Sequence, residues 1–361
     1  MADTPALCAR EEYLLVDPGT GRTADAADEV RGYADALDAP APDSAVTADL
    51  FATRLEAGTG RCAGLDELSE RLIHNRMRLA TAARAAGTWI VPSATAAMGG
   101  PAAPRAKFGP VADTYAAAVA EVTCGCHLQL AAPDPETAVA VVNHLRPWLP
   151  TLLALSANSP YQDGADTGYA SWRHAQRSRL PAGGMPPHFA SVRAYEARVS
   201  RLVEMGVLVA ETAPHWLAHP VPRRSEVELH VADTGVDVES TVLQAALSKA
   251  LVQTALADLA AGREAPAIGE QVAAAALWSA ARHGMSGPGI HPVLERTAPA
   301  TVLVSELLAA VRPALEDNGD LITASSGVRR LLRLGTGAAR QRAAGNPYEA
   351  TAKLAANVLP A

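Results

Sequence analysis

The clearest pattern in the chain is a strict alternation of polar and apolar residues over 226–231. A period of two is typical of a β-strand, because successive side chains point to opposite faces of a sheet. One face of this predicted strand is apolar, and the other carries Glu226, Glu228 and His230, with Asp233 just past the strand's end. These polar groups either line a site for a divalent cation, which would offset the carboxylate repulsion, or form a solvated sheet face, and the run alone leaves both interpretations open.

Hydrophobic patterns elsewhere predict a chain of mixed strands and helices. Further strands are predicted at 11–16, 50–57, 89–91, 122–131 and 207–211. Helices are predicted at 65–86, 111–121, 134 onward, 191–204, 237–262, 269–282, 301–316 and 325–333. Polar or Gly/Pro-rich stretches predict loops at 99–110 and 156–187, and a loop with short elements at 22–47. Because strands and helices do not alternate regularly, we predict an α+β fold with a mainly antiparallel sheet.

Composition narrows the class of protein. The 361 residues are 49% hydrophobic, which suffices for one large or two medium domains. The formal net charge of −7 argues against a general nucleic-acid-binding protein, which would carry a basic face. The most apolar stretch, 137–157, contains charged residues and prolines, so no membrane span is expected. No apolar leader precedes Arg10 and no cysteines form a C-x-x-C pair, so we expect a reduced, cytoplasmic protein in which Cys124 and Cys126 are either core residues or ligands of a soft metal.

Four predicted strands each place an acid or a histidine among apolar neighbours, at Glu12, Glu56, His127 and Glu228. If these strands are adjacent, the four side chains meet on one polar face. Oxygen ligands with a single imidazole suit Mg²⁺ or Mn²⁺, and a magnesium site generally indicates phosphate chemistry. Each residue alone is equally well explained as a solvated glutamate or a structural histidine, so only the set indicates a metal–nucleotide site.

A second group of polar residues lies in the predicted loop at 156–173, whose glycines permit close approach to a ligand. Directional polar groups are offered by Asn158, Ser159, Asp166 and Arg173. The arginine could bind a carboxylate or phosphate through two parallel hydrogen bonds. The alternative is a surface loop ordered by its own turns.

Several segments, taken in order, resemble the bacterial carboxylate–amine ligases of the type 2 glutamate–cysteine ligase family. The resemblance runs from about residue 7 to 345, and the order and spacing of its segments are together specific. The segments are EEYLLVDPGTGR near the start, RLEAGTGRC at 54–62, CGCHLQL at 124–130, DPETAVAVVNHLRPWLPTLLALSANSP at 134–160, DTGYASWR at 166–173, EVELHVADTGVDVESTVLQAAL at 226–247 and GTGAARQR at 335–342.

The resemblance implies a glutamine synthetase-like catalytic fold: a curved, mainly antiparallel sheet forming a half-barrel active-site face, flanked by helices. Its concave face would hold ATP, divalent metal and substrate. The implied reaction phosphorylates a carboxylate, typically the γ-carboxylate of glutamate, before an amine such as that of cysteine attacks the acyl phosphate. By motif, the resemblance assigns metal binding to Glu12, Glu56, His127 and Glu228, the same four that the alternation selects.

The chain departs from the family pattern on its presumed polar face. Arg10 replaces the first of three consecutive glutamates, and it would repel a neighbouring Mg²⁺ but could contact phosphate. His230 stands where an arginine would steady the transferring phosphate, and His219 replaces the arginine before a proline. Other departures are Gln129 for histidine, Ala165 for arginine, and Ala96-Ala97 for His-Pro. We therefore expect Glu228, His230 and Arg10 to be the catalytic residues of an altered phosphate site.

These observations predict a single ligase-like domain over 1–361, with flexible ends at 1–9 and 345–361 and the capacity to form homo-oligomers. The favoured function is an ATP- and Mg²⁺- (or Mn²⁺-) dependent ligase that joins a small-molecule carboxylate and amine other than the usual glutamate and cysteine. The alternative is a catalytically impaired relative that keeps the fold for binding or regulation. A structural metalloprotein, which would bind metal without ATP, is the third class. Neither nucleic acid nor membrane is expected as a partner.

Overall fold

The computed structural model of the protein describes residues 7–37, 46–48, 51–102, 109–115, 121–209 and 214–358. Within these ranges the strands are β1 (Leu7–Val16), β2 (Val46–Ala48), β3 (Arg54–Gly58), β4 (Trp89–Val91), β5 (Gly125–Ala131), β6 (Tyr161–Gln162), β7 (Ala165–Asp166), β8 (Ala218–Val221), β9 (Glu226–Asp233), β10 (Pro288–His291) and β11 (Arg296–Pro299).

The helices are α1 (Ala27–Leu37), α2 (Leu65–Ala85), α3 (Gly109–Tyr115), α4 (Pro135–Leu145), α5 (Leu149–Ser156), α6 (Trp172–Arg177), α7 (Val192–Glu204), α8 (Val238–Ala260), α9 (Glu270–His283), α10 (Ala300–Asp317), α11 (Leu321–Leu334), α12 (Gly337–Arg342) and α13 (Pro347–Ala356). A short 3₁₀ turn, Arg146–Trp148, joins α4 to α5. Of the helices in the described ranges, none combines the length and apolar character that crossing a bilayer requires.

Seven of the described strands form one open antiparallel sheet in the order β2-β3-β1-β5-β9-β8, and β4 also pairs with β1. The hairpins β6–β7 and β10–β11 stand apart from it. Helices α2, α4, α5 and α8 cover one face, where the apolar side chains of β1, β5 and β9 join the largest hydrophobic cluster. Because strand side chains alternate, this packing leaves the polar side chains on the opposite face.

The start of α4 illustrates how local sequence fixes these elements. Asp134 caps the helix by accepting the backbone N–H of Thr137 at 2.9 Å, and Pro135 occupies the first turn. A carboxylate cap and a proline in the first turn both favour a helix start. The predicted start at Asp134-Pro135 is thereby confirmed.

A fully buried ion pair ties β1 to the helices beneath it. Glu11 and Arg76 are both 0% exposed, and Nη2 of Arg76 donates to Oε1 of Glu11 at 2.6 Å. The same carboxylate accepts from Nε of Arg76 at 3.1 Å and from the hydroxyl groups of Tyr13 and Thr241. Nη2 also donates to the carbonyl of Gly235 at 2.9 Å. The pair therefore connects β1, α2, α8 and the turn before α8 at one point.

The α+β class and the antiparallel sheet are confirmed. The region 22–47, predicted as a loop with short elements, contains the helix α1, which buries Ala27, Val30 and Ala34. Two other local predictions are wrong. The predicted loop at 156–187 contains the hairpin β6–β7 and the short helix α6, whose start is set by the Ser171 cap. The predicted strand at 207–211 is absent over 207–209, and its last two residues lie outside the described ranges.

The two ends of the chain also need correction where they are described. Leu7 pairs with β5 and is 1% exposed, so residues 7–9 are part of the sheet rather than flexible. Pro347–Ala356 form α13, which is capped by Asn346 and buries Ala350 and Leu354. A short helix rich in alanine has too little contrast between its faces to be recognised from sequence.

We expect that Arg76→Met destabilises the protein by about 3–5 kcal/mol, because the carboxylate of Glu11 would be left buried without its cation. Urea unfolding at pH 7 measures this loss. Arg312→Met is the matched control, since Arg312 forms an exposed pair with Glu316 at 2.8 Å on α10. That change should cost less than about 1 kcal/mol. Equal effects of the two substitutions would contradict the prediction.

Candidate active site

The register of the sheet brings polar residues of β1, β3 and β5 together on the face opposite the helices. Glu12 lies directly across from Glu56 on β3, and Arg10 lies across from His127 on β5. Directly opposed residues of antiparallel strands share a face, with their Cβ atoms about 4.5–5.5 Å apart. These strands are therefore adjacent, in the arrangement that the alternation required.

Glu228 of β9 is the centre of this face. Its Oε1 accepts from Nε2 of His230 at 2.8 Å and binds the guanidinium of Arg10. Its Oε2 accepts from Nε2 of Gln129 at 3.2 Å and lies 4.0 Å from Nε2 of His219. One carboxylate thus contacts side chains from β1, β5, β8 and β9.

An irregularity in β9 shapes the group of imidazoles. His230 and Val231 together lie opposite His127 alone, so β9 carries one residue more than β5 at this point. A bulge of this kind re-aims side chains locally. The rings of His127 and His230 stack with centroids 4.2 Å apart, and His219 meets His230 edge-on at 4.9 Å. Three imidazoles therefore surround the Glu228 carboxylate.

Arg10 places a protein cation between two carboxylates. Its Nη2 binds Glu228, while its Nη1 lies 3.6 Å from Oε1 of Glu56. The side chain keeps 32% of its surface exposed, so it lies at the open side of the face. The guanidinium consequently occupies space in which a cation bound by both carboxylates would otherwise lie.

Glu12 is held more rigidly than Glu56. Its Oε2 accepts the backbone N–H of Gly125 at 2.6 Å, and its Oε1 lies 3.2 Å from Nη1 of Arg54. The guanidinium of Arg54 also binds the carbonyl of Thr123. Nε2 of His127 lies 3.9 Å from Oε2 of Glu12. Glu12 and His127 thus face each other across a gap without a direct hydrogen bond.

Burial and charge set the protonation states on this face. Burial favours the neutral form of Glu228, but the hydrogen bond from His230 and the charge of Arg10 outweigh it and hold the pKa of this carboxyl far below its usual value. Burial lowers the pKa of His127 and of His230, and it lowers the pKa of His219 to about 3. Ionised carboxylates and neutral imidazoles are the forms that bind metal ions.

These residues fit a divalent cation beside His127. Ligand atoms of His127, Glu228 and His230 lie within 4.8 Å of one another. Both ring nitrogens of His127 are buried and have no hydrogen-bond partner among the residues described, although they lie 3.8 and 3.9 Å from oxygens of Glu228 and Glu12. Of the charged groups named above, three carboxylates face two guanidinium groups, which leaves one negative charge. A cation could be bound by the ring nitrogen of His127 that carries the lone pair, and its charge would offset the remaining negative charge.

A second network gathers three of the four residues predicted in the loop at 156–173. The Asp233 carboxylate, at the end of β9, is 1% exposed. It accepts the backbone N–H of Asn158 at 2.8 Å and the hydroxyl groups of Ser159 and Ser171 at 2.8 and 2.9 Å. Nη1 of Arg173 lies 3.7 Å away. Burial raises the pKa of the Asp233 carboxyl against these favourable contacts.

The Asp233 network reaches the candidate site through Arg173. Its Nη2 donates to the carbonyl of His230 at 3.1 Å. The guanidinium also packs over Gly125, where any Cβ would collide with it. Arg173 thus fixes the backbone at His230 and lies behind the strand residue that binds Glu12.

Asp166 lies apart from that network. It is exposed, and its two oxygens accept from Nη2 and Nε of Arg342 at 2.6 and 2.7 Å. The hydrogen bonds from Arg342 lower the pKa of this carboxyl. Contacts of Asn158, Ser159, Asp166 and Arg173 with a ligand remain predictions.

Sequence reasoning missed Arg54 and the role of Asp233. Arg54 precedes Glu56 by two residues on β3, so alternation alone placed both on one face, and the signal was available. Asp233 was noticed for its position after the strand, but its partners lie more than sixty residues away in sequence. Only the fold brings them to it.

A scan against protein-family models matches residues 10–353 to the glutamate-cysteine ligase family 2 (GCS2). One relative, from Saccharopolyspora erythraea, is provisionally named glutamate–cysteine ligase 2-2. It is 47% identical over 359 residues, which cover 97% of this chain and 91% of the relative.

Two solved structures share the fold at low sequence identity. One is the glutamate–cysteine ligase of Francisella tularensis in complex with AMP, with a TM-score of 0.67 at 12% identity, covering 98% of this chain and 88% of that one. The other is the complex of the prokaryotic ubiquitin-like protein Pup with its ligase PafA, with a TM-score of 0.55 at 11% identity, covering 94% and 67%. The open antiparallel sheet with flanking helices is thus a glutamine synthetase-like fold.

We expect that Asp233→Asn lowers the free energy of unfolding by about 2–4 kcal/mol, because an amide N–H₂ would oppose donors in a buried network and Arg173 would lose its counter-charge. Urea unfolding at pH 7 is the measurement. Asp166→Asn, at the exposed Arg342 pair, is the matched control and should cost less than about 1 kcal/mol. A small effect at Asp233 would show that its network does not hold the loop.

Proposed function

This chain belongs to the glutamate-cysteine ligase family 2, and from that membership we propose that it is an ATP-dependent carboxylate–amine ligase. The reaction would transfer the γ-phosphoryl group of ATP to a carboxylate, and an amine would then displace phosphate from the acyl phosphate to give an amide. The nucleotide part is supported by the fold neighbour from Francisella tularensis, whose structure contains AMP.

The observation that carries the proposal is the convergence of Glu12, His127 and Glu228 on one buried polar face, with both nitrogens of His127 unpaired among the described residues. In the proposal these three residues hold Mg²⁺ or Mn²⁺, and Glu56 lies at the edge of the site. A cation held there would supply positive charge that offsets the charge of the transferring phosphoryl group.

Arg10 and His230 have distinct parts in this proposal. Arg10 neutralises Glu228 and Glu56 from the open side, where its guanidinium can donate to phosphate oxygens. His230 is neutral and donates to Glu228, so it orients that carboxylate rather than adding positive charge. Arg173 positions the backbone at His230 directly, and Asn158 and Ser159 support it by binding Asp233, which lies beside the Arg173 guanidinium. Asp166, paired with Arg342, is left as a candidate for contact at the surface.

We propose that the substrates are a small carboxylic acid and an amine other than glutamate and cysteine. The support is the pair of histidines at 219 and 230, both neutral, at positions beside Glu228 where a charged residue would add to the guanidinium of Arg10. A site with fewer cations would bind a dianionic amino acid less readily than a monocarboxylate.

The second candidate is a catalytically impaired relative that binds a ligand and does not turn it over. The observation that favours it is the ion pair of Arg10 with Glu228, which engages a proposed metal-binding carboxylate with a protein cation. ATP-dependent release of ADP over a panel of acids and amines separates the two. Tight binding of ATP·Mg²⁺ without ADP release across that panel would favour the binding protein.

We expect that Glu228→Gln reduces ADP release by at least about a thousandfold, because the change removes the central negative charge of the face. Glu226→Gln is the matched control: Glu226 lies two residues earlier on the same strand and face, but it pairs with Arg61 and Arg224 at the margin. The control should keep most of the activity. Full turnover by Glu228→Gln would place the active site elsewhere.

We further expect the protein to bind one Mn²⁺ per chain in the absence of nucleotide, with Arg10→Gln binding it about tenfold more tightly. Removing a positive charge a few ångströms from the site lowers the repulsion of the incoming ion. Electron paramagnetic resonance of free Mn²⁺ measures the occupancy without requiring turnover. Arg61→Gln, which removes an exposed arginine from the margin, is the control and should leave the affinity unchanged within about twofold.

Unchanged Mn²⁺ affinity in Arg10→Gln would mean that the guanidinium does not compete for the cation site. The proposed ligand set also requires that His127→Ala, when it folds normally, no longer binds Mn²⁺.

A further inference from the structure

A second cavity, of about 1150 Å³, lies outside the sheet face and is walled mainly by α6, α9 and the segment 183–188. Aromatic and apolar side chains line it, namely those of Tyr169, Trp172, Met185, Leu277 and Trp278. The indole of Trp278 donates from Nε1 to the hydroxyl of Tyr169 at 3.2 Å, and Tyr169 and Trp172 lie with ring centroids 5.3 Å apart. Trp278 is nevertheless 52% exposed. A concave pocket with exposed aromatic surface is typical of a small-molecule site.

Helix α6 separates this cavity from the candidate active site. Trp172, Ala175 and Ser178 line the cavity at helical spacing. Arg173 and Arg177, on other positions of the same segment, act on His230: the first through its hydrogen bond to the carbonyl, the second through its charge. The cavity and the metal face are therefore different sites that share one helix.

One of the residues that line the cavity is a buried cation. Arg146, in the 3₁₀ turn between α4 and α5, is that residue, and it is 5% exposed. Its Nε donates to the carbonyl of Pro186 at 3.0 Å, and none of its nitrogens lies within ion-pair distance of a carboxylate in the part of the chain that the structure describes. The nearest acid that influences it, Glu270, is an exposed residue of the cavity rim.

The cost of this arrangement points to an anion. A buried guanidinium without a counter-ion is unfavourable, and the penalty is relieved when an anion accepts its free N–H groups. Burial accordingly lowers the pKa of Arg146. The indole N–H of Trp172 is a second buried donor without an acceptor among the described residues. Both residues line the cavity, and a ligand with an acceptor oxygen would satisfy the guanidinium of Arg146.

From this geometry we infer that the cavity is a binding site for a small aromatic carboxylic acid, whose carboxylate is bound by Arg146 and whose ring lies against Tyr169, Trp172 and Trp278. A planar carboxylate matches the parallel N–H groups of a guanidinium. Flat rings pack favourably on tyrosine and tryptophan, at offset or edge-on geometry. The inference goes beyond the proposed ligase activity and does not depend on it.

The test titrates the full-length protein by calorimetry with benzoate, phenylacetate, 3-phenylpropionate and 4-hydroxyphenylacetate. Phenylacetamide, which has the same ring without the charge, is the matched ligand control. We expect saturable binding of at least one acid with one site per chain, at least about tenfold tighter than binding of the amide. Arg146→Gln should weaken the acid by at least about tenfold and leave the amide unchanged.

Because Arg146 is buried, a folding defect could imitate lost binding, so Trp278→Ala provides a second variant at an exposed position. It should weaken acids and amide alike without lowering the thermal midpoint. Arg198→Gln, at the exposed rim of the cavity, should have little effect. Glu228→Gln should bind the acids as the unaltered protein does, because Glu228 lies outside the cavity. Acid binding therefore tests the cavity proposal separately from the ligase proposal.

Two outcomes would overturn the inference. One is that none of the four acids shows saturable binding at concentrations up to about 5 mM. A dissociation constant above that limit would correspond to a binding free energy weaker than roughly 3 kcal/mol. The other is binding that both Arg146→Gln and Trp278→Ala leave unchanged, which would place the acids elsewhere on the protein.

Discussion

The buried ion pair between Glu11 and Arg76 is the interaction on which the candidate site depends. Glu11 is the middle residue of Arg10-Glu11-Glu12, and its carboxylate is bound by α2 and by a hydroxyl from α8 beneath the sheet. Since strand side chains alternate, anchoring Glu11 on the helical side directs Arg10 and Glu12 to the other side. A shift of β1 by one residue would bury Arg10 and Glu12 among apolar groups and expose Glu11. The pair therefore specifies the register as well as contributing to stability.

The polar face above that pair is organised by charge. Carboxylates from three strands lie close together, and Arg10 and Arg54 offset part of their repulsion. The imidazoles add no positive charge, because burial keeps them neutral. A neutral imidazole can therefore act as a nitrogen ligand to a cation, while the carboxylates provide the negative charge. The Asp233 network holds the backbone of His230 from the far side of β9 through Arg173, so the geometry of the imidazoles has its own support.

Much of this face could be predicted from sequence because period-two alternation is a local property. It placed Glu12, Glu56, His127 and Glu228 each on the polar side of a strand, and the register then made those strands neighbours. The bulge that turns His230 toward His127 could not be predicted, since it depends on one extra residue between two paired strands. Helix α13 was missed because alanine packs well yet gives little contrast between faces. The partners of Asp233 are set by tertiary structure, and no residue spacing in the sequence predicts them.

The balance of charge also bears on the order of events in the proposed reaction. A face with more carboxylates than guanidinium groups repels a triphosphate that arrives without its cation. The positions that could have attracted phosphate directly, at 219 and 230, carry neutral histidines, and Arg10 is already engaged by Glu228. In the proposed reaction, nucleotide binding would therefore require a divalent cation, whose charge would offset that of the carboxylates. Contact of Arg10 with phosphate would further require that the guanidinium exchange at least one carboxylate for a phosphate oxygen. Its partly exposed position at the open side of the sheet permits that exchange, whereas Arg54, nearly buried against Glu12 and Thr123, is held in place.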